Sequence, residues 1–344
     1  MLSKKQLLQL RIELLDSKKP LFFFHDDPDG LCSFILLYRF VSNGKGVVVK
    51  SSPKLTGDLF INKVKEFGPD KIFILDIPIV NQDFIDATNV PVIWIDHHEP
   101  LKRERISYYN GRLQNPSEYI PVSYWCYQVT KQDMWISMVG CIGDAYVPDF
   151  REEFCEKCPD LLSKDLKDIG EIQYNSMVGF LVKIFSFILK GKTGDVMKCI
   201  KILTRIEDPQ EILQQKTARG KFIYKHFEKI NQTYQALIED ALKHRTDDKI
   251  LLYVYEEDKI SVTADLANEL SHRIEDKFII IGRKKGDEIK LSIRWKKKIP
   301  PVLQQALVGI DGYGGGHEYA CGACIKALDF DQFVRNLRAL IDKA

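Results

Sequence analysis

Short apolar runs alternate with helix-spaced segments through the first third of the chain. Residues 21–24, 46–49, 71–75 and 92–95 read as strands, the first short and apolar enough to be buried. Residues 29–40, 59–67 and 81–86 repeat at helical spacing between them, the middle one closed by Gly68-Pro69. This alternation predicts a parallel sheet with helices on both faces. From about residue 120 the pattern turns helical, with helices over 121–129 and 131–141, few breakers over 160–241, and 211–241 spaced as one long helix. Beyond residue 249 strands return at 250–255, 260–262, 278–282, 289–294 and 320–325, with helices over 263–274, 301–308 and 329–344. The expected fold class is α/β: a parallel-sheet domain with flanking helices (1–150), a helical connector (151–245) and a smaller α/β domain (246–344). No internal repeat or low-complexity linker interrupts it.

Composition changes this picture little. With 344 residues, 45% of them hydrophobic, the chain can fill more than one core. The net charge of +2 does not announce a polyanionic partner, so local clusters must carry that argument. Residues 1–19 form an amphipathic helix too charged for a secretion signal, and the most apolar stretch, 177–189, is short for a bilayer and contains Lys183. The expectation is a soluble cytoplasmic protein without a membrane partner, whose eight cysteines are free thiols. The pairs Cys155/Cys158 and Cys321/Cys324 are spaced as zinc ligands are. The second pair lies in a strand, where residues three apart face opposite sides, so packing is the favoured reading of both.

Chemistry concentrates at strand ends. Residues 21–24 run into His25-Asp26-Asp27-Pro28-Asp29-Gly30, residues 71–75 into Asp76, and residues 92–95 into Asp96-His97-His98. In an open parallel sheet these positions share the carboxyl edge, where ligands bind. Carboxylates brought that close repel and raise each other's pKa, and divalent cations relieve the conflict. Asp and His without thiolate suit Mn²⁺, Mg²⁺ or Zn²⁺. An extended segment aims His25, Asp27 and Asp29 to one side and sends His97 and His98 apart, so that one histidine can ligate while the other faces substrate. Asp144 follows an apolar helix. Gly314-Gly315-Gly316-His317 reads as a glycine loop whose backbone N–H groups can approach a phosphate. Residues 283–298 interleave basic side chains with Trp295, a composition suited to single-stranded nucleic acid, and Lys102, Arg103 and Arg105 form a second basic cluster.

Residues His25 to Gly30 resemble the H-x-D-x-D-G motif of the DHH phosphoesterases. Asp76 fits that family's lone second-motif aspartate, Asp96-His97-His98 is its triplet, Asp144 fits its fourth motif, and Gly314 to His317 resemble the GGGH loop of the DHH-associated domain. The resemblance runs in order over nearly the whole chain. It points toward RecJ-like nucleases, compact archaeal ones in particular, and toward the oligoribonuclease and pAp-phosphatase branch. It implies a DHH catalytic domain over 1–150 and a DHH-associated substrate-binding domain over 246–344.

The resemblance further implies two divalent ions, Mn²⁺ or else Mg²⁺. One would rest on His25, Asp27 and Asp76, the other on Asp29, Asp76, His97 and Asp144. His98 would act catalytically on a phosphate oxygen, and Asp96 would orient His97 or His98. Gly314, Gly315, Gly316, His317 and Arg294 would bind substrate. The implied activity is exonucleolytic release of nucleotides from single-stranded DNA or RNA. The polarity would be 3′→5′ after the compact archaeal relatives, and replication or repair proteins would be partners. Three other readings share the fold: a nanoRNase or pAp-type nucleotide phosphatase, a non-catalytic replication scaffold, and a pyrophosphatase. The full set of ligand types argues against a scaffold, and the glycine motif against a pyrophosphatase.

Overall fold

Leu21, Phe22, Phe23 and Phe24 are all buried, which requires cover on both faces of their strand. The computed structural model describes residues 1–50, 54–256, 260–274 and 276–342, and divides into two compact units, residues 1–226 and 227–344.

In the first unit, strands β1 (Pro20–His25), β2 (Lys45–Val49), β3 (Lys54–Leu55), β4 (Lys71–Leu75), β5 (Ile79–Val80), β6 (Val92–Ile95) and β7 (Ser107–Tyr109) alternate with helices α1 (Lys4–Asp16), α2 (Pro28–Val41), α3 (Gly57–Phe67) and α4 (Gln82–Ala87). Five strands make a parallel sheet in the order β2-β1-β4-β6-β7, and β3 pairs with β5 separately. The expected α/β architecture is therefore present. The chain steps from β1 to β2 on one side, then crosses to β4 on the other, so strand order reverses between β1 and β4. Phe22 and Phe24 pack on Phe34 of α2 at ring separations of 5.7 and 4.6 Å. Phe23, Ile74 and Trp94 face the opposite way, into a core with Val64 of α3 and Phe84 of α4. Helices α5 (Val122–Thr130) and α6 (Met134–Gly143) pack on α2.

The helical run continues through α7 (Arg151–Lys157), α8 (Ile169–Asn175), α9 (Met177–Ile188), α10 (Thr193–Leu203) and α11 (Gln210–Leu213) to α12 (Ala218–Lys243). The single helix expected over 211–241 is broken. Glu211 accepts hydrogen bonds from the Glu207 N–H at 2.9 Å and the Thr217 hydroxyl at 2.7 Å, Thr217 accepts from the Gly220 N–H at 3.1 Å, and Gln215 takes a positive φ of 51°. Local caps thus outcompete helical continuity.

The second unit holds β8 (Ile250–Glu256), α13 (Thr263–Arg273), β9 (Phe278–Lys285), β10 (Glu288–Arg294), α14 (Pro300–Ala306), β11 (Gly312–His317), β12 (Ala320–Lys326) and α15 (Phe330–Ile341). Its sheet runs β11-β12-β10-β9-β8, parallel only between β8 and β9. Ile280, Leu291, Ile293, Cys321 and Ala323 bury one face under Leu303 of α14 and Phe333 and Leu337 of α15. Two expectations fail here. Residues 260–262 form no strand, being drawn into the start of α13 by the Tyr255 hydroxyl, which donates to the Ile260 carbonyl and accepts from the Val262 N–H. The glycine motif is an edge strand, since β12 supplies a backbone partner that no local pattern reveals. Residues 343–344 of the expected last helix lie outside the described residues.

The turn from β1 into α2 is a tight joint. A Cβ on Gly30 would lie 2.6 Å from the His25 carbonyl oxygen and 2.7 Å from its nitrogen, backbone atoms that cannot swing aside. Gly30→Ala is therefore expected to cost about 1–3 kcal/mol in denaturant melting, the range for overpacking. An unchanged midpoint would show that this joint carries no such constraint.

Candidate metal centre

The register Phe24↔Leu75 and Leu75↔Ile95 sets His25, Asp76 and Asp96 side by side, one residue past the paired ends of β1, β4 and β6. The Asp76 N–H still donates to the Ile95 carbonyl at 3.0 Å, after which the backbone turns at φ 57°, a left-handed conformation uncommon outside glycine. That turn sends the Asp76 carboxylate into the crevice between β1 and β4, where it is 1% exposed. Asp27 is the N-cap of α2, and its Oδ1 accepts from the Gly30 N–H at 2.9 Å. Its Oδ2 lies 2.5 Å from His25 Nδ1, and His25 Nδ1 lies 3.4 Å from Asp76 Oδ2.

Asp29, in the first turn of α2, is fully buried. It accepts from the backbone N–H groups of Val122 and Ser123 at 2.8 and 2.9 Å, and from the Ser123 hydroxyl. The first turn of α5 thus anchors it. His97 Nε2 stands 3.1 Å from Asp76 Oδ1 and 3.4 Å from Oδ2 of Asp144, the C-cap of α6. Ligating atoms gather within 4.8 Å in three overlapping groups: His25, Asp27 and Asp76; Asp29, His97 and Asp144; Asp76, His97 and His98. Asp76 and His97 each belong to two of them.

Proximity here is not hydrogen bonding. Both Asp76 oxygens and His25 Nδ1 are buried without a hydrogen-bond partner, although Asp76 and His25 sit within 3.4 Å of one another, and so is His97 Nδ1, the ring nitrogen other than the one that faces Asp76 and Asp144. Ligating atoms of separate side chains thus crowd within 4.8 Å of one another without satisfying one another. Oxygen and imidazole donors arranged in this way fit divalent cations.

Without an ion the cluster gathers protons instead. Burial, and then the charge of Asp76, pushes Asp29 up to about 7. Burial and Asp29 raise Asp144 well above the usual carboxylate range. Burial opposes the charged form of His97, but Asp76 and Asp144 overcome it and lift the imidazole to about 10. His25 is raised in the same way by Asp27 and Asp76 against the pull of burial. Asp76 alone is held low, because His25 and His97 outweigh its burial.

Asp96 belongs to none of the three groups and addresses His98. Its Oδ1 lies 2.8 Å from His98 Nδ1, and its Oδ2 accepts from the His98 N–H at 3.1 Å, the Tyr108 hydroxyl at 3.2 Å and Asn110 Nδ2 at 3.3 Å. Asn110 also donates to the His98 carbonyl at 2.9 Å. The sequence did not single out Tyr108, Asn110, Ser123 or Tyr119. Asn110 directly follows β7, so its place at a strand end was the one available signal. Tyr119 lays its ring 4.9 Å from that of His97 while remaining 43% exposed.

The other candidates divide. Arg103 donates to the Val80 carbonyl at 2.5 Å and so is engaged by the fold, while Arg105 makes an exposed ion pair with Asp86 at 3.6 Å. In the second unit Arg294 and His317 both lie opposite Ala320 in the register, hence on one face of the sheet. Arg294 is steadied by Asn268 Oδ1 at 2.6 Å. Gly314, Gly315 and Gly316 run beside them, exposed along the sheet edge. Trp295 packs on Phe278 at a ring separation of 5.2 Å, with Lys297 over it, so this indole is engaged by the fold. All eight cysteines are free, and none joins a metal-holding group among the described residues. Among those residues no helix is long and apolar enough to cross a membrane.

A doubly wound sheet with such a cluster at its switch point has the donor set that metal-dependent hydrolases use. The sequence matches the DHH family, N-terminal domain, over residues 21–123 and the DHHA1 domain over residues 247–343. The chain belongs to the DHH family of metal-dependent phosphoesterases. Among solved structures its fold is similar to RecJ from Thermus thermophilus in complex with Mn²⁺, at a TM-score of 0.71 and 15% identity, over 99% of this chain and 55% of that one. The chain thus spans about half the length of that RecJ. It is similar also to an exonuclease RecJ bound to manganese, at a TM-score of 0.64 and 14% identity over 99% and 94% of the two chains. A pGpG-specific phosphodiesterase from Vibrio cholerae matches at a TM-score of 0.50 and 13% identity, over 95% and 99%. No curated protein matches the sequence.

The raised values fix a pH dependence. A group whose value rises on folding stabilises the fold below its unfolded value and loses that contribution as pH climbs to the folded one. For Asp29 the window runs from 3.8 to about 7, and for His97 from 6.5 to about 10. Asp76, held low, has the opposite sign and acts only in acid. The melting temperature of metal-stripped protein should therefore fall as pH rises from 6.5 toward 10. Added Mn²⁺ should restore it, by more at higher pH, since ligation needs deprotonated donors. A flat profile in chelator would contradict the proton-gathering cluster.

Proposed function

We propose that this chain is a two-metal exonuclease that releases nucleotides from single-stranded DNA or RNA. The observation that carries the proposal is the convergence of His25, Asp27, Asp29, Asp76, His97 and Asp144 at the switch point, in groups whose ligating atoms lie within 4.8 Å, with both Asp76 oxygens buried and without a hydrogen-bond partner. His25, Asp27 and Asp76 would hold one ion, and Asp29, Asp76, His97 and Asp144 the other. Mn²⁺ is the leading candidate and Mg²⁺ the alternative. Such a pair, when bound, supplies a hydroxide nucleophile near neutral pH and offsets charge on the phosphoryl group.

The chain's own residues do the rest. Asp96 fixes the His98 ring through Nδ1, and when the ring is protonated at both nitrogens Nε2–H would donate to a phosphate oxygen as charge develops. Tyr108 and Asn110 keep Asp96 in place. In the second unit Arg294 and His317 would take the substrate backbone beside Gly314, Gly315 and Gly316. The fold likeness to RecJ supports a nucleic acid substrate, and the likeness to a pGpG-specific phosphodiesterase supports a second reading, action on very short oligonucleotides.

End-labelled DNA and RNA strands of graded length, with Mn²⁺ and with chelator, test both readings and the expected 3′→5′ direction. Ladders shrinking from one end with Mn²⁺ are expected, and cutting confined to dinucleotides would favour the second reading. Turnover that persists in chelator would end the two-metal proposal. Asp76→Asn should abolish both Mn²⁺ binding, read by calorimetry, and turnover. His98→Ala should lower kcat about 10²–10³-fold, the scale for loss of one charge-stabilising donor, with Mn²⁺ binding retained. Loss of Mn²⁺ binding in His98→Ala would assign His98 to the metal.

A further inference from the structure

One face of the second unit's sheet sets an exposed aromatic ring and cationic side chains beside its glycine edge. The face turned away from α14 and α15 can be read from the register. Tyr313, Cys324, Lys290 and Arg283 lie opposite one another in one row, Gly315, Gly322 and Ser292 in the next on that side, and His317, Ala320 and Arg294 in the third. Successive rows are two residues apart, so the outer rows are separated by about 13 Å at the usual strand rise.

Tyr313 is 72% exposed. It lies opposite Cys324 in the register, and the Cys324 thiol leans on Glu288 at 3.6 Å. The ring therefore stands at the edge of the sheet with most of its surface open. Glu288, the acid of this corner, is neutralised by Lys326 at 3.1 Å.

Beside the ring, Gly315 has an ordinary φ, and a Cβ there would meet nothing within 4 Å. Neither backbone strain nor packing demands glycine at this position. A Cβ on Gly322 would meet only the Leu291 carbonyl oxygen, at 3.5 Å. The floor next to Tyr313 is thus bare for a reason external to the fold. Trp295, the aromatic that composition offers for stacking, is occupied by Phe278 and Lys297.

We propose that Tyr313 is a base-stacking platform for single-stranded nucleic acid, with a nucleobase laid on its ring over the Gly315–Gly322 floor and the flanking phosphates facing Lys290 on one side and Arg294 and His317 on the other. The inference rests on the nuclease reading above and adds a binding element to it. Stacking on an aromatic ring is tolerant of base identity, because every base has a π-face, and the cationic rows complement a polyanion.

The test uses the full chain in chelator, where turnover is suppressed. Fluorescence anisotropy compares a labelled oligothymidylate with an abasic strand of equal length. Wild-type protein should bind the thymidine strand more tightly than the abasic one. Tyr313→Ala should weaken thymidine-strand binding about 5- to 150-fold, the range for loss of one stacked base, and leave abasic binding unchanged. Tyr313→Trp should keep the preference, and the melting temperature of both variants should stay at the wild-type value, since the side chain is exposed. Equal weakening for both strands, or no change for either, overturns the platform while leaving the nuclease reading standing. If wild-type protein neither binds nor shortens any single strand, the nuclease reading fails, and the platform with it.

Discussion

Charge crowding governs this molecule. Asp27, Asp29, Asp76 and Asp144 crowd one crevice, Asp29 and Asp76 almost wholly shielded from water and Asp27 and Asp144 partly so. Desolvation and mutual repulsion make four bare carboxylates untenable there. Either protons or cations must enter, and the raised values of Asp29, Asp144, His25 and His97 express that demand in the metal-free state. The same imbalance suits the site to divalent cations.

The scaffold fixes each donor by a separate local device. A strand end places His25, an N-cap turns Asp27, the first turn of α5 grips Asp29, a left-handed residue swings Asp76, and a helix C-cap presents Asp144. None of these devices takes its rigidity from the ligands themselves. Pre-organisation of this kind keeps the donors aimed inward against their own repulsion, and it explains why Gly30 must lie so close to His25.

The second unit solves a different problem, that of presenting a surface and not a cavity. Its sheet turns one face to the core with α14 and α15 and part of the other to α13, where Ser292 meets Thr263 at 3.0 Å. The glycine edge strand is left in the open. Small residues there keep the face flat, and cationic residues lie in rows on either side. The aromatic residues divide accordingly: Trp295 serves the core and Tyr313 the surface.

The sequence by itself determined the parallel sheet and the neighbourhood of the site, because both follow from short-range rules. Buried strands such as Leu21–Phe24 announce themselves by continuous apolar character. Strand ends in a parallel sheet necessarily share an edge, so His25, Asp76 and His97 could be grouped from the order of strands alone. What the sequence left undecided depends on contacts between distant segments. The pairing of β11 with β12 turns an apparent glycine loop into an edge strand, and Phe278 captures Trp295. Thr217, Gly220 and Glu211 break a helix that periodicity alone would continue. Ser123, Tyr108 and Asn110 are common residue types whose importance comes from position alone. Only tertiary structure brings their hydrogen bonds to Asp29 and Asp96, because a polar side chain's partner is chosen by three-dimensional proximity and not by its place along the chain.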